Sequence, residues 1–231
     1  MQGVYIVFAA ICVLAGCSGP TDQSTAPASS PAPALDTGEV NLDVWLERLE
    51  VGSRELYSAR EAVVAAVRIS EGDVVADIGA GTGLYTLLFA DAVGPTGLVF
   101  AEDIEPLFLD LINRRVDDLG FDNVTSVLGR NNHISLPKES VDIVFIADTY
   151  HYFNDREEVM RSVYAALKPG GALIIIDYNI APGEQRPEHK SHVLFGKAGV
   201  ISEMEFIGFE IVGEISVEGL DDNYFLRFLK P

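Results

Sequence analysis

Val74-Val75-Ala76-Asp77-Ile78-Gly79-Ala80-Gly81-Thr82-Gly83 carries an apolar strand into a glycine loop, and a helix follows from about Leu84. Glycine at every second position allows a tight turn and lets a ligand lie against the backbone. The helix N-terminus adds free N–H groups and the positive end of its dipole. Such a strand–loop–helix holds a nucleotide-like ligand. The dinucleotide fingerprint is G-x-G-x-x-G. Here the pattern is G-x-G-x-G, and Leu84 occupies the position of the third dinucleotide glycine. Asp77 closes the strand and faces the same crevice, where a carboxylate repels a pyrophosphate and suits a ligand bearing an ammonium group.

S-adenosylmethionine has an ammonium, a carboxylate, a sulfonium and no phosphate. The next strand ends in Phe100-Ala101-Glu102-Asp103-Ile104, with Asp103 20 residues past Gly83. An acid at this strand end can accept from both ribose hydroxyls, and strand alternation favours Asp103 or Glu102, not both. This cue alone fits NAD equally well. Further out, Leu42, Trp45, Leu46 and Leu49 recur at helical spacing, and residues 54–68 continue with Leu56, Val63, Val64 and Val67. Short apolar runs follow at Val74–Ile78, Leu98–Ala101, Val124–Leu128, Val141–Ala147 and Ala172–Ile176. Helices separate several of them: one opens at Pro106 with Phe108, Leu111, Ile112 and Leu119 as its stripe, and one near 155–167 stops at Lys168-Pro169-Gly170-Gly171. This alternation predicts a parallel sheet covered on both faces. Phe209–Val217 and Tyr224–Leu229 have no room for a helix between them and should form an antiparallel pair.

VVADIGAGTG, FAEDI, VDIVFIADTYHYF and LKPGG before a strand, in that order and at these spacings, resemble the class I S-adenosylmethionine-dependent methyltransferases. The resemblance covers residues 41–231. It implies an α/β, doubly wound, mostly parallel seven-stranded sheet of Rossmann-like form, with the last strand inserted antiparallel beside the fifth as part of a C-terminal hairpin. It also implies S-adenosyl-L-methionine as cofactor. On the matching positions, Asp77 would serve the ammonium side through the loop, Gly79, Gly81 and Gly83 would line the methionine part, and Asp103, followed by Ile104, would hold the ribose. The family often places an Asp after the third strand near the adenine amino group. Here Leu128-Gly129-Arg130-Asn131-Asn132-His133 has no acid, and Asn131 or Asn132 can supply an uncharged acceptor. Asp148 is a further cofactor-side candidate.

Methyl transfer is a direct displacement at the sulfonium carbon, so the protein must align groups, exclude water and sometimes take a proton. Ligands of open α/β sheets lie beyond the carboxyl ends of strands. That places Asp148-Thr149-Tyr150-His151-Tyr152-Phe153 beside the transferring methyl, with His151 and Tyr150 as catalytic candidates; imidazole is suited to base work. The same residues could instead form an aromatic lid over the cofactor. Asp177 and Tyr178 could also face substrate. The segment lacks the Asp/Asn-Pro-Pro-Tyr pattern of enzymes that methylate amide or base nitrogens, which argues against nucleic acid as partner. His189 and His192 lack a third ligand cue, so no metal site is expected. The short helices before the first strand leave only a small cap, which favours a small-molecule acceptor.

The chain has 231 residues and a net charge of −19, from 16 Lys plus Arg against 35 Asp plus Glu. That acidity also disfavours a phosphate backbone or anionic lipid surface as main partner. Its two cysteines are Cys12 and Cys17, so the folded part has no disulfide, Cys-ligated metal or Cys nucleophile, and thiol-dependent arsenic methylation is disfavoured. Residues 4–17 are an uncharged stretch of 14, about the length of a signal-peptide apolar region, ending in Leu14-Ala15-Gly16-Cys17. Segment 1–17 resembles a bacterial lipoprotein signal, with Cys17 as the lipidation site. Met1-Gln2-Gly3 carries no Lys or Arg, so either the start lies upstream or the α-amino charge serves alone. Residues 18–40 are rich in Pro, Ser and Ala and read as a flexible tether. Together these predict a lipid-anchored, extracytoplasmic protein of the bacterial cell envelope. S-adenosylmethionine is not expected to be plentiful there, which leaves a second reading open: a membrane-tethered binding protein that keeps the fold without turnover.

Overall fold

The computed structural model describes residues 41–180 and 196–231. The signal segment 1–17 with Cys17, the tether 18–40, His189 and His192 lie outside the described residues. Three helices come first: α1 (Leu42–Leu49), α2 (Glu55–Ser58) and α3 (Arg60–Val67). Asn41 caps α1, its side chain accepting from the N–H groups of Asp43 and Val44. The stretch read as one helix over 54–68 is two, because the backbone leaves helical geometry at Ala59. Then follow β1 (Val74–Ile78), α4 (Leu84–Val93), β2 (Leu98–Asp103), α5 (Pro106–Leu119), β3 (Val124–Leu128) and β4 (Val141–Ala147). A short 3₁₀ turn (Tyr150–Tyr152), α6 (Arg156–Ala166), β5 (Leu167–Tyr178), α7 (Lys197–Ile207), β6 (Glu210–Glu214) and β7 (Asn223–Leu229) complete the order.

The seven strands form one sheet in the order β3-β2-β1-β4-β5-β7-β6. β1 to β5 pair in parallel, and β7 is inserted antiparallel between β5 and β6. This is the expected doubly wound methyltransferase topology with its closing hairpin. Alternate residues of the central strands feed two cores. Val75, Ile143, Phe145, Ile174 and Phe225 meet α3 and α4 through Val63, Val67 and Phe89. Ala76, Val144, Ile146, Ile175 and Leu226 meet α6 and α7 through Met160, Val163, Val200 and Met204. Each fully buried aliphatic or aromatic side chain contributes roughly 1.5–3 kcal/mol, so the two-faced burial of β1, β4 and β5 fixes the centre of the molecule. β1 lies between β2 and β4, and the chain leaves it in both directions across the sheet. The resulting crevice opens beyond the carboxyl ends of β1 and β4.

Three details depart from the sequence reading. β5 begins at Leu167, so Lys168-Pro169-Gly170-Gly171 is a bulged strand start rather than a turn before the strand; Val141 pairs with Leu167 and Ile143 with Ala172. α7 has no counterpart in the sequence reading, although Val200, Met204 and Ile207 form its buried stripe. β3 and β4 are joined without a helix. Ile134 and Leu136 of that connection enter the core, and its first residues run past the crevice.

Candidate functional site

Gly79, Gly81 and Gly83 all take left-handed backbone angles, with φ of 69°, 54° and 82°. At Gly83, the residue before α4, a side chain would also meet Ile112 of α5, since a Cβ would stand 2.7 Å from its Cγ1. Gly83 therefore brings α5 against the loop. The N–H groups of Gly79 and Ala80 both donate to the Glu102 carbonyl, at 2.8 and 2.9 Å, which ties the loop to the end of β2.

Three carboxylates converge behind this loop. Asp77 is buried and accepts a 2.6 Å hydrogen bond from the Thr86 hydroxyl of α4. Burial pushes its pKa up to about 7, the Thr86 bond opposes the shift, and the Asp103 charge adds to it. Asp103 accepts from the N–H groups of Gly81 and Glu105, both at 2.9 Å. Burial raises its pKa too, against those hydrogen bonds. Glu102 faces the crevice as well, so the expectation that only one of the two acids would do so is corrected. Strand alternation ends with Asp103, the last residue of β2, while Glu102 occupies space left by Gly129, where a Cβ would collide with its Oε1. Burial and the Asp103 charge push Glu102 up to about 8.

The opposite wall begins at the end of β4. Asp148 has φ +48°, a conformation in which a non-glycine residue is strained and must be held by its surroundings. Arg54 donates to one of its oxygens and the Asn223 amide to the other, both at 2.9 Å. Burial raises the Asp148 carboxyl and the Arg54 charge draws it back. His151 follows in the 3₁₀ turn. Its Nδ1 lies 2.8 and 2.9 Å from the two oxygens of Asp177, near the end of β5. The rings of Tyr152 and Tyr178 stand 4.1 and 5.9 Å from the imidazole.

These walls enclose one cavity of about 690 Å³, within the roughly 300–1,000 Å³ of small-molecule sites. Asp77, Gly79, Gly81, Asp103, Ile104, Asn131, Asp148 and His151 line it. Four sequence candidates do not; one of them, Asp177, is bonded to the His151 ring instead of lining the cavity. Gly83 lies behind the lining against Ile112. Asn132 is directed to Glu158, its amide donating at 2.7 Å, which leaves Asn131 as the residue of that pair in the cavity. Tyr150 is a core side chain whose hydroxyl donates to Glu203 at 2.6 Å; Tyr152 is the tyrosine of that turn that reaches the cavity. Trp45 and Leu49 of α1 form a further wall, and Arg115 joins this cap to the loop by donating to the Thr82 carbonyl and pairing with Glu50. Arg54 and Asn223 were not among the sequence candidates. Arg54 is 94 residues from Asp148 and Asn223 is 75, and no local pattern marks either.

The chain matches the methyltransferase domain family over residues 69–212. It is 28% identical over 164 residues to a ubiquinone/menaquinone biosynthesis C-methyltransferase of Pseudoalteromonas translucida, covering 71% of this chain and 62% of that protein. A protein of the same name from Pseudomonas savastanoi is 33% identical over 138 residues, covering 59% of this chain and 53% of the relative. The alignments thus span about half to three-fifths of these relatives. Among solved structures, a SAM-dependent methyltransferase from Aquifex aeolicus superposes with a TM-score of 0.70 at 24% identity, over 84% of this chain and all of that one. A chain from the complex between the Haloferax volcanii Trm112 methyltransferase activator and a methyltransferase gives 0.69 at 18% identity, over 82% of this chain and 96% of that one. With the glycine loop and its acids in place, the chain belongs to the methyltransferase domain family, whose methyl donor is S-adenosyl-L-methionine.

Proposed function

We propose that the protein transfers a methyl group from S-adenosylmethionine to a small-molecule acceptor by direct displacement. One observation carries this reading: a single cavity runs from the glycine loop, Asp103 and Ile104 to His151, Tyr152 and Tyr178. Donor and acceptor can therefore meet side by side, and the cofactor brings an already activated methyl group. The side-chain-free glycine loop lets the methionine part lie against the backbone, Asp77 and Asp103 suit the ammonium and the ribose, and Ile104 offers an apolar face to the adenine. The names of the curated relatives support a carbon nucleophile on a small molecule. The short cap formed by α1 to α3 supports a small acceptor too. We also propose that Cys17 carries lipid and holds the domain at the cell envelope, on the strength of the 1–17 sequence pattern.

Calorimetry with S-adenosylmethionine, S-adenosylhomocysteine and NAD tests the donor, and transfer of labelled methyl groups into a small-molecule cell extract tests turnover. Binding of both adenosyl ligands with label transfer is expected. Tight NAD binding with neither adenosyl ligand bound would overturn the reading. Binding without transfer would favour the tethered binding protein.

A further inference from the structure

S-adenosylmethionine brings a carboxylate, and the glycine loop has little left to offer it. Gly79 and Ala80 donate their N–H groups to the Glu102 carbonyl, Gly81 donates to the Asp103 carboxylate and Gly83 to the Ala80 carbonyl. The side chains at this end repel an anion, since Asp77, Glu102 and Asp103 all line the cavity there. A carboxylate taken out of water among acids is held only where a cation pairs with it. The lining contains three arginines, Arg48, Arg54 and Arg130. Arg54 is engaged: one terminal nitrogen donates to the Leu49 carbonyl at 3.2 Å and the other to Asp148 at 2.9 Å. Arg130 follows β3, which is separated by β2 from β1 and its glycine loop.

Arg48 is placed differently. It lies in the last turn of α1, and its neighbour Leu49 rests on the loop, where a Cβ on Gly81 would stand 3.5 Å from the Leu49 Cδ1. Its guanidinium stands 5.1 Å over the ring of Trp45, another residue of the cavity wall. Among the described residues no acid pairs with it. Its charge is felt by Tyr152 of the turn after β4, whose hydroxyl is pushed up by burial and drawn back by Arg48.

We propose that Arg48 is the receptor for the donor's carboxylate, so that α1 recognises the amino-acid part of S-adenosylmethionine while Asp77 and Asp103 serve its ammonium and ribose. The proposal rests on the methyl-transfer reading above. A planar guanidinium meets both oxygens of a carboxylate with parallel N–H donors, and the indole face beneath Arg48 holds it in place for that fork. The cap is then a part of the donor site as well as its cover.

S-adenosylmethionine and its decarboxylated form differ only in this carboxylate, so titration calorimetry of the full chain with both, at pH 7, isolates the pair. Arg48→Gln should weaken S-adenosylmethionine about fivefold, between an exposed ion pair and a buried charge-assisted bond. The decarboxylated form has a higher positive charge and should bind Arg48→Gln as well as or better than wild type. Arg48→Lys keeps the charge without the fork and should lose less than Arg48→Gln. A residue that only packs the wall or neutralises the end of α1 would move both ligands together. Unchanged S-adenosylmethionine affinity in Arg48→Gln, or an equal loss for the two ligands, therefore overturns the proposal. So does Arg130→Gln abolishing the discrimination while Arg48→Gln keeps it. Wild type that binds neither ligand would instead count against the methyl-transfer reading.

Discussion

Donor affinity should rise with pH across the slightly acidic range. Asp77 sits at about 7 and Glu102 at about 8, both held up chiefly by burial. In the ligand-free protein at pH 5.5 these groups are largely protonated. S-adenosylmethionine carries a sulfonium, an ammonium and a carboxylate, a net charge of about +1. It therefore favours their ionised forms and draws protons off as it binds. If binding requires Asp77 alone to be ionised, affinity follows the ionised fraction, which climbs from roughly 0.03 at pH 5.5 to roughly 0.5 at pH 7, about a fifteenfold gain. Glu102 can only steepen the rise. The window stops near 7 because the ligand's own amino group loses its charge at about 7.7–8.0. Titration calorimetry at four pH values, each in two buffers of different ionisation heat, reads both the affinity and the protons released. Asp77→Asn should bind more weakly at pH 7 and show a shallower slope. Wild-type affinity that is flat or falling from pH 5.5 to 7, with no proton release, would refute the coupling between these acids and the donor.

Asp103→Ala should weaken S-adenosylmethionine binding tenfold or more, since a charge-assisted hydrogen bond to a ribose contributes roughly 1.5–3 kcal/mol; a large loss in Glu102→Ala with none in Asp103→Ala would move the ribose to the neighbouring acid. Gly83→Ala places a side chain at φ 82° against Ile112 and should cost about 1–3 kcal/mol in urea unfolding as well as donor affinity; an unchanged midpoint would contradict the close approach of α5 to the loop. Cys17→Ser should abolish incorporation of labelled palmitate in cells, and equal labelling of the variant would remove Cys17 as the acylation site.

The fold was legible wherever burial on two faces left a continuous apolar run. Val74–Ile78, Val124–Leu128 and Val141–Ala147 have the boundaries read from sequence. β2 ran two residues beyond its apolar run because Glu102 and Asp103, though charged, still pair with Val127 and Leu128. α7 was missed because Ile201 is partly buried and Phe206 exposed on its outer side, which blurs the helical stripe of Val200, Met204 and Ile207. The bulge at Lys168–Gly171 was read as a turn because Pro and Gly mark both, and only pairing with β4 and the bond from Gly170 N–H to the Lys230 carbonyl distinguish them.

The two ends of the cavity differ in how they are encoded. At the donor end, residues 77–83 and 102–104 are two contiguous segments whose roles follow from being at the ends of adjacent strands, and short-range pattern finds them. At the end proposed for the acceptor the side-chain hydrogen bonds that shape the wall join distant pairs: Arg54 with Asp148, Asp148 with Asn223, His151 with Asp177. Sequence could name Asp148, His151 and Asp177 as residues near a strand end, but not that Asp177 would orient His151, nor that Arg54 and Asn223 would hold Asp148 in a left-handed conformation. It also offered Tyr150 in place of Tyr152, because a 3₁₀ turn, unlike a strand or helix, gives no period by which to tell the core side from the cavity side. In the proposed reading the donor's ammonium and ribose are thus specified by chain-local features and the acceptor by packing between β4, β5, β7 and the segment before α2. In that reading a change of acceptor can be made by repacking those partners while Val74–Gly83 stays as it is, and variants at Arg54 or Asn223 that alter acceptor turnover with S-adenosylmethionine affinity unchanged would move Asp148 from the cofactor side, where the sequence placed it, to the acceptor side.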